Sequence, residues 1–320
     1  MSPGSDDLSH LHRPVLVHEV LTLLEPKDHP DPLVVDGTVG FGGHAEAMLS
    51  AWPTARLFGL DRDADALRST KARLAPFVGR FRLFHASYAE LSEVLEEAGE
   101  GRPLAVLLDL GVSSPQLDRP ERGFSYKALD RVADMRFDPT SGAPTAADVV
   151  NGATENELAR WIFELGGERR ARAVARALVQ ARPVRTVGDL VAAVRSAVRR
   201  DASGIDPATR TFQALRIVVN DEAGHLARGL DGALRALRPG GRIAVISFHS
   251  GEERAVKEAF RLAVGEGRAR VVTNKGIRPT EDEVARNPRA APARLRVAEV
   301  VRRDGATDEG GGTAGREAKR

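Results

Sequence analysis

The chain has 320 residues, 42% hydrophobic and 29% charged, enough to bury a full core and a cleft and better suited to two domains than one. It has no cysteine, which excludes a disulfide scaffold, a cysteine-ligated zinc or iron–sulfur site and a cysteine nucleophile. Lys plus Arg (47) nearly balances Asp plus Glu (45), and no apolar run approaches the ~20 residues of a membrane helix.

Residues 1–12 are polar and acidic, without the charged-then-apolar pattern of a secretory signal, so the chain is expected to be cytoplasmic. Residues 15–24 carry apolar side chains at helical spacing and stop before Pro26. Residues 33–36 are a short apolar run between prolines and glycines, a buried strand feeding a tight turn. Residues 43–50 read as helix, 56–60 as a second strand ending at Asp61, and 65–74 as helix. A third strand spans 81–85, a helix 88–98, and the most hydrophobic strand 104–110. This alternation predicts an α/β fold with a parallel, doubly wound sheet.

After Ser114 the rhythm breaks. Residues 155–164, 168–180 and 187–199 read as helices, and 117–206 hold no strand of the earlier quality. A helix over 209–237 is stopped by Pro239-Gly240-Gly241. Residues 242–248 form a fifth strand, 251–264 a helix, and 270–274 and 295–301 two later strands. The expectation is a discontinuous sheet domain (1–116 and 207–303) interrupted by a helical insert (117–206), with a disordered Gly-rich tail at 304–320.

Ligands of such sheets bind at the carboxyl ends of the strands. The first strand ends in Asp36-Gly37-Thr38-Val39-Gly40-Phe41-Gly42-Gly43-His44, where glycines let the backbone turn and approach a ligand. Gly40-x-Gly42-x-x-Ala45 fits a loose dinucleotide fingerprint. An acid before a glycine loop suits S-adenosylmethionine equally. Asp61, at the end of strand two, can accept ribose hydroxyls in either case. Asp109 ends strand four and opens the polar loop Leu110 to Gln116, where a transferred group would meet its acceptor. The Pro239-Gly240-Gly241 turn and the late strand pair favour a methyltransferase.

Local charge points to a polyanion. Residues 160–210 hold eleven arginines against five acids, and 254–303 thirteen basic residues against six acids, although solvated helix faces would look the same.

Several segments together resemble the bacterial 16S ribosomal RNA cytosine-N4 methyltransferases. They are His12-Arg13-Pro14-Val15-Leu16, residues 36–44, Leu107 through Asp118, Arg122-Gly123-Phe124-Ser125, Asp134-Met135-Arg136, Thr209 through Arg216, and Ile246-Ser247-Phe248-His249-Ser250. The resemblance runs from about His12 to Val301. It implies a class I (Rossmann-like) methyltransferase sheet with an inserted helical domain. It also implies methylation of N4 of a decoding-centre (P-site) cytidine in 16S rRNA, in the small subunit. Family cofactor contacts carry over to Gly42, Gly43, His44, Asp61, Asp109 and Gln116, with Tyr88 where the family has an aromatic against the adenosine. The run Ala290–Ala293 departs from a more polar family segment.

The residues add chemistry to that resemblance. Methylation at cytosine C5 usually begins with a thiolate, which this chain lacks, whereas an exocyclic amine needs alignment and no covalent intermediate. An acceptor on N4–H would localise the nitrogen lone pair, and Asp109 or a carbonyl of Ser113-Ser114-Pro115 could be that acceptor. Asp36 joins the cofactor set, or merely caps the glycine loop. His249 is a substrate candidate after strand five, and no spacing suggests a metal. The insert would read RNA through Arg169, Arg170, Arg172 and Arg176 on one helix and Arg195, Arg199 and Arg200 on another. The same helices could pair with the insert's own acids or form a homodimer interface. Phe124 and Tyr126 are stacking candidates, and Trp161, among Leu158, Ile162 and Leu165, reads as core. An oxidoreductase and a non-catalytic RNA-binding factor are the competing classes.

Overall fold

The computed structural model describes residues 14–27, 29–112, 114–199 and 206–301. Strands β1 (Leu33–Asp36), β2 (Arg56–Asp61), β3 (Phe81–His85), β4 (Ala105–Asp109), β5 (Arg242–Ser247), β6 (Ala269–Val271) and β7 (Arg294–Val300) form one sheet in the order β3-β2-β1-β4-β5-β7-β6. The first five are parallel, and β7 runs antiparallel between β5 and β6. The strand order reverses between β1 and β4, and the carboxyl ends there are where sheets of this kind bind ligands.

Alternating side chains split the sheet's two cores. Leu33, Val35, Val106, Leu108, Ile243 and Val245 face one side, and Val34, Leu107, Ala244 and Ile246 face the other. Helices cover both faces: α1 (Val17–Leu24), α2 (Gly43–Ala51), α3 (Ala64–Arg73) and α4 (Leu91–Glu97) come before the insert. A one-turn α5 (Ser114–Asp118) leads into α6 (Ala146–Gly152), α7 (Glu155–Glu164), α8 (Ala171–Gln180), α9 (Val187–Ala197) and α10 (Ala208–Val219). The chain then forms α11 (Glu222–Ala236), α12 (Ser250–Gly265) and α13 (Glu281–Arg286).

Helices α6 to α10 share a separate core that includes Val150, Leu158, Ile162, Leu178, Leu190 and Leu215. α8 shows why: Ala171, Val174, Ala175 and Leu178 are buried at i, i+3, i+4 and i+7, leaving Arg172 and Arg176 outside. Val174 and Leu178 each contribute roughly 1.5–3 kcal/mol on burial, the alanines less. Threonine caps set three of the starts. Thr145, Thr154 and Thr186 each accept from the backbone N–H three residues on, and the acid there reaches back.

Three expectations change. The helix read over 209–237 is two helices, because Asp221 takes a left-handed backbone (φ 46°) and the buried Asn220 side chain bonds to another segment. Arg169 and Arg170 precede α8, since Gly167 at φ 68° turns the chain and the Glu168 carboxylate accepts from Arg170 N–H (2.8 Å). The structure adds two short helices, α6 and α13, to those that periodicity marks, and Thr145-Ala146-Ala147-Asp148 before α6 is a capping-box pattern. The tail 304–320 and Arg200 lie outside the described residues. Ala290 and Ala293 are fully buried in the sheet's second core. No helix among the described residues is long and apolar enough to cross a membrane.

Candidate active site

The first turn after β1 is built by backbone constraints. Asp36 is buried and accepts from Thr38 N–H through Oδ1 (3.2 Å). Gly37 has no room for a Cβ, which would lie 2.6 Å from Leu108 Cδ2. Gly40 and Gly42 take positive φ (49° and 80°), and Gly42 sits at the N-terminus of α2, just before Gly43 and His44. Burial pushes the Asp36 carboxyl up to about 7, against the Thr38 N–H and with repulsion from Asp61.

Asp61 closes the glycine loop from the next strand. Its Oδ2 accepts from Gly40 N–H and its Oδ1 from Asp63 N–H, both at 2.8 Å. Burial raises it to about 6 despite these bonds. Gln116, on α5, is buried and donates through Nε2 to Asp63 (3.0 Å). Tyr88 lies over Gly37 by its Cβ, while its ring edge rests against Gly229 of α11. Burial, then the charges of Glu222 and Glu252, raise the Tyr88 phenol.

Asp109 ends β4 beside Asp36. Its backbone N–H donates to Thr38 Oγ1 (2.6 Å), its Oδ2 lies 3.5 Å from His44 Nδ1, and its Oδ1 has no hydrogen-bond partner among the described residues. His44 is buried, with Nε2 2.9 Å from the Val15 carbonyl, so Nε2–H is the donor there. Burial holds the Asp109 carboxyl well above the usual range, and Asp36 and Glu252 add to it. Of the turn that follows, Ser113 lies outside the described residues, and Ser114 and Pro115 are described by backbone alone, as the start of α5.

Sequence reasoning missed a polar cluster next to Asp109. His249 caps α12: its Nδ1 accepts from Gly251 and Glu252 N–H (3.2 and 3.3 Å), which puts the proton on Nε2, 3.1 Å from Glu252 Oε1. Burial raises the Glu252 carboxyl, but His249 and Arg216 outweigh it and hold the group low. Donor atoms of Glu222, His249 and Glu252 lie within 4.8 Å of one another. Arg216 already supplies a cation there, bonding Glu222 through two nitrogens (2.7 and 2.9 Å). The histidine's position before Glu252 was a legible cap signal.

The arginines and aromatics divide. Arg169, Arg170 and Arg172 are exposed and make no ion pair among the described residues, whereas Arg176, Arg195 and Arg210 pair with Glu155, Asp206 and Glu168. Arg199 is exposed. Phe124 is buried against Phe137 (5.7 Å between centroids), and Tyr126 meets Phe212 edge-on, so both serve the helical core. Trp161 packs on the same core.

One buried and two partly buried acids at neighbouring strand ends surround a glycine loop, on a sheet whose last strand is reversed between its neighbours. That combination defines the class I, Rossmann-like methyltransferase fold. A model of the MraW methylase family matches residues 9–301, and the chain belongs to that family. Relatives named ribosomal RNA small subunit methyltransferase H include one from Geobacter sulfurreducens, 47% identical over 91% of this chain and 99% of its own length. Another, from Acidothermus cellulolyticus, is 46% identical over 91% of this chain and 94% of its own.

Proposed function

We propose that the protein transfers a methyl group from S-adenosylmethionine to the exocyclic N4 amine of a decoding-centre (P-site) cytidine in 16S rRNA. The carrying observation is the trio Asp36, Asp61 and Asp109 around the glycine loop, in a chain of a methylase family. Carboxyls shielded from solvent to different degrees, with a buried, unpartnered oxygen on Asp109 among the described residues, fit a ligand bearing a sulfonium and an ammonium. A dinucleotide would bring phosphate charge against them.

When bound, S-adenosylmethionine supplies an electrophilic methyl group on its sulfonium. Asp61 takes the ribose hydroxyls, the backbone of Gly42, Gly43 and His44 lines the approach, and Asp36, Tyr88 and Gln116 complete the pocket. Asp109, once ionised, accepts from N4–H, which localises the amine lone pair and offsets the positive charge developing on nitrogen. In the sequence, Ser113-Ser114-Pro115 follows Asp109 within a few residues and offers a second acceptor. Absence of cysteine leaves direct attack, without a covalent intermediate.

The sheet unit (residues 1–116 and 207–303) holds the cofactor, and the helical insert (117–206), packed with α10, receives the RNA. Arg169, Arg170 and Arg172 gather at the N-terminus of α8, where the helix dipole adds to their charge. His249 borders the substrate side through its contact with Glu252. The cytidine must leave its stack to react.

The test is transfer of a labelled methyl group to naked 16S rRNA and to small subunits lacking the modification, followed by nucleoside mass spectrometry. N4-methylated cytidine is the expected product. A label on any other base, or none on either RNA, refutes the assignment.

A further inference from the structure

Two sequence motifs, Arg122-Gly123-Phe124-Ser125 and Asp134-Met135-Arg136, take no part in the proposed chemistry. The structure gathers them at the exit of β2. Asp61 is followed there by Arg62 and Asp63, and both reach the helical unit.

Asp63 is 2% exposed. Its Oδ1 caps α3 through Asp65 and Ala66 N–H. Its Oδ2 accepts from Gln116 Nε2 (3.0 Å) and from Arg122 Nη1 (2.8 Å). Arg122, itself buried, donates through Nη2 to the carbonyls of Arg136 (3.1 Å) and Phe137 (2.9 Å). One guanidinium thus bridges the residue two after Asp61 to the backbone of 136–137. Gly123 lets it do so, because a Cβ there would lie 2.7 Å from Asp134 N and Val132 O.

Arg62 forms the second tie. Its Nη1 donates to the Asn220 carbonyl (2.8 Å), while the Asn220 side chain accepts from Phe137 N–H and donates to the Met135 carbonyl, both at 2.7 Å. Met135 is held with φ at 63°, a conformation L side chains rarely adopt. The segment 135–137 is therefore fastened from both sides to the dipeptide that follows Asp61.

We propose that Asp63 and Arg122 are positioning residues that couple the cofactor pocket at Asp61 to the placement of the helical unit, so that cofactor and RNA bind with positive cooperativity. This rests on the proposed function. Asp61 Oδ1 is bonded to the Asp63 N–H, so a ligand that fixes the Asp61 carboxylate fixes Asp63, Arg122 and the 135–137 backbone in turn. RNA arriving second then meets a joint already ordered and gives up less entropy. By linkage, RNA strengthens cofactor binding by the same factor.

The experiment measures binding of the full chain to small ribosomal subunits lacking the modification, with and without saturating S-adenosylhomocysteine, which retains the ribose but transfers no methyl. For the native protein the product cofactor is expected to tighten RNA binding about fivefold or more. Asp63→Asn keeps a cap for α3 and removes the charge facing Arg122. Arg122→Lys keeps the charge and removes the two-sided fork. In each variant the coupling is expected to fall below about twofold, while RNA affinity without the product cofactor changes less than about threefold. A general loss of structure would lower both affinities instead. A native coupling factor of one, or native coupling retained in either folded variant, overturns the inference, and the native measurement decides even where a variant does not fold. A native protein that methylates RNA yet shows no coupling sinks this inference alone. One that binds no S-adenosylhomocysteine sinks the proposed function with it.

Discussion

Asp36, Asp61 and Asp109 are three acids whose carboxyls the fold pushes above the usual range. Burial is the largest cause in each, taking Asp36 to about 7 and Asp61 to about 6 and Asp109 well above the usual range. A cationic ligand favours their ionised forms, so its binding releases protons. The affinity for S-adenosylmethionine is expected to rise from pH 5.5 to 7.5, by up to about tenfold per pH unit for each proton released. Calorimetry in two buffers of different ionisation heat reads both the affinity and the proton count; a pH-independent affinity contradicts the assignment. The sign for stability is the reverse. A carboxyl raised in the fold contributes stability that is complete below about pH 4 and lost as pH rises through the folded value. Asp36→Asn, which mimics the protonated group, is therefore expected to gain stability relative to the native protein between pH 5 and 7.5, by at most about 1.4 kcal/mol per pH unit. Denaturant titrations of both ligand-free proteins provide the comparison, and parallel pH profiles would exclude it. At Asp109 the expectation is kinetic: Asp109→Asn lowers kcat about 100-fold or more. Single-turnover methyl transfer with saturating cofactor measures this, and near-native turnover removes Asp109 as the amine's acceptor.

At the scale of elements, α11 fits against the site through a missing side chain. A Cβ on Gly229 would lie 2.3 Å from Tyr88 Cδ2. In an open helix, Gly→Ala stabilises by about 1 kcal/mol. Here the partly buried ring blocks the methyl, and Gly229→Ala is expected to destabilise by about 1–3 kcal/mol. Adding Tyr88→Ala should reverse the sign of the glycine substitution, which thermal or denaturant unfolding of the four proteins in the cycle would show. A stabilised single variant means that the ring does not pack there. The starts of α6, α7, α9 and α12 follow from short sequence patterns because a capping box is local: one side chain meets one N–H three residues on. The break between α10 and α11 is different. Asn220 ends α10 while bonding residues 135 and 137, partners some 80 positions away that helical periodicity does not contain.

At the scale of the molecule, a sheet unit with the acids and a helical unit whose Arg169, Arg170 and Arg172 make no ion pair among the described residues are fastened through Asp63, Arg122 and Asn220. The division of labour predicts separable defects. Replacing Arg169, Arg170 and Arg172 together by Gln should weaken RNA binding. Its salt dependence should become shallower by about one in log–log slope for each phosphate no longer neutralised. S-adenosylmethionine affinity should stay native. Filter binding from about 50 to 300 mM salt tests this, and an unchanged slope means that these arginines do not meet phosphate. Arg195 and Arg210 are poorer candidates, since Asp206 and Glu168 already neutralise them.

The sequence alone determined the alternating sheet, the acids at the ends of β1, β2 and β4, the glycine loop and the absence of a thiol route. These are local properties: strand periodicity, a turn that needs glycine, a count of residue types. The tertiary structure alone decided what those residues face. It turned Phe124 and Tyr126 from stacking candidates into core, because their rings meet Phe137 and Phe212. It tied Gln116 to Asp63, gave His249 a capping bond and placed Glu252 near Asp109. Asp63 and Arg122 illustrate the limit most sharply. They stand 59 positions apart, each with an unremarkable neighbourhood in the chain, and become a buried pair only when strand β2 and the helical unit meet. The reason is physical: a hydrogen bond or a desolvated charge is set by distance in space, and the chain encodes that distance only through the packing of everything between.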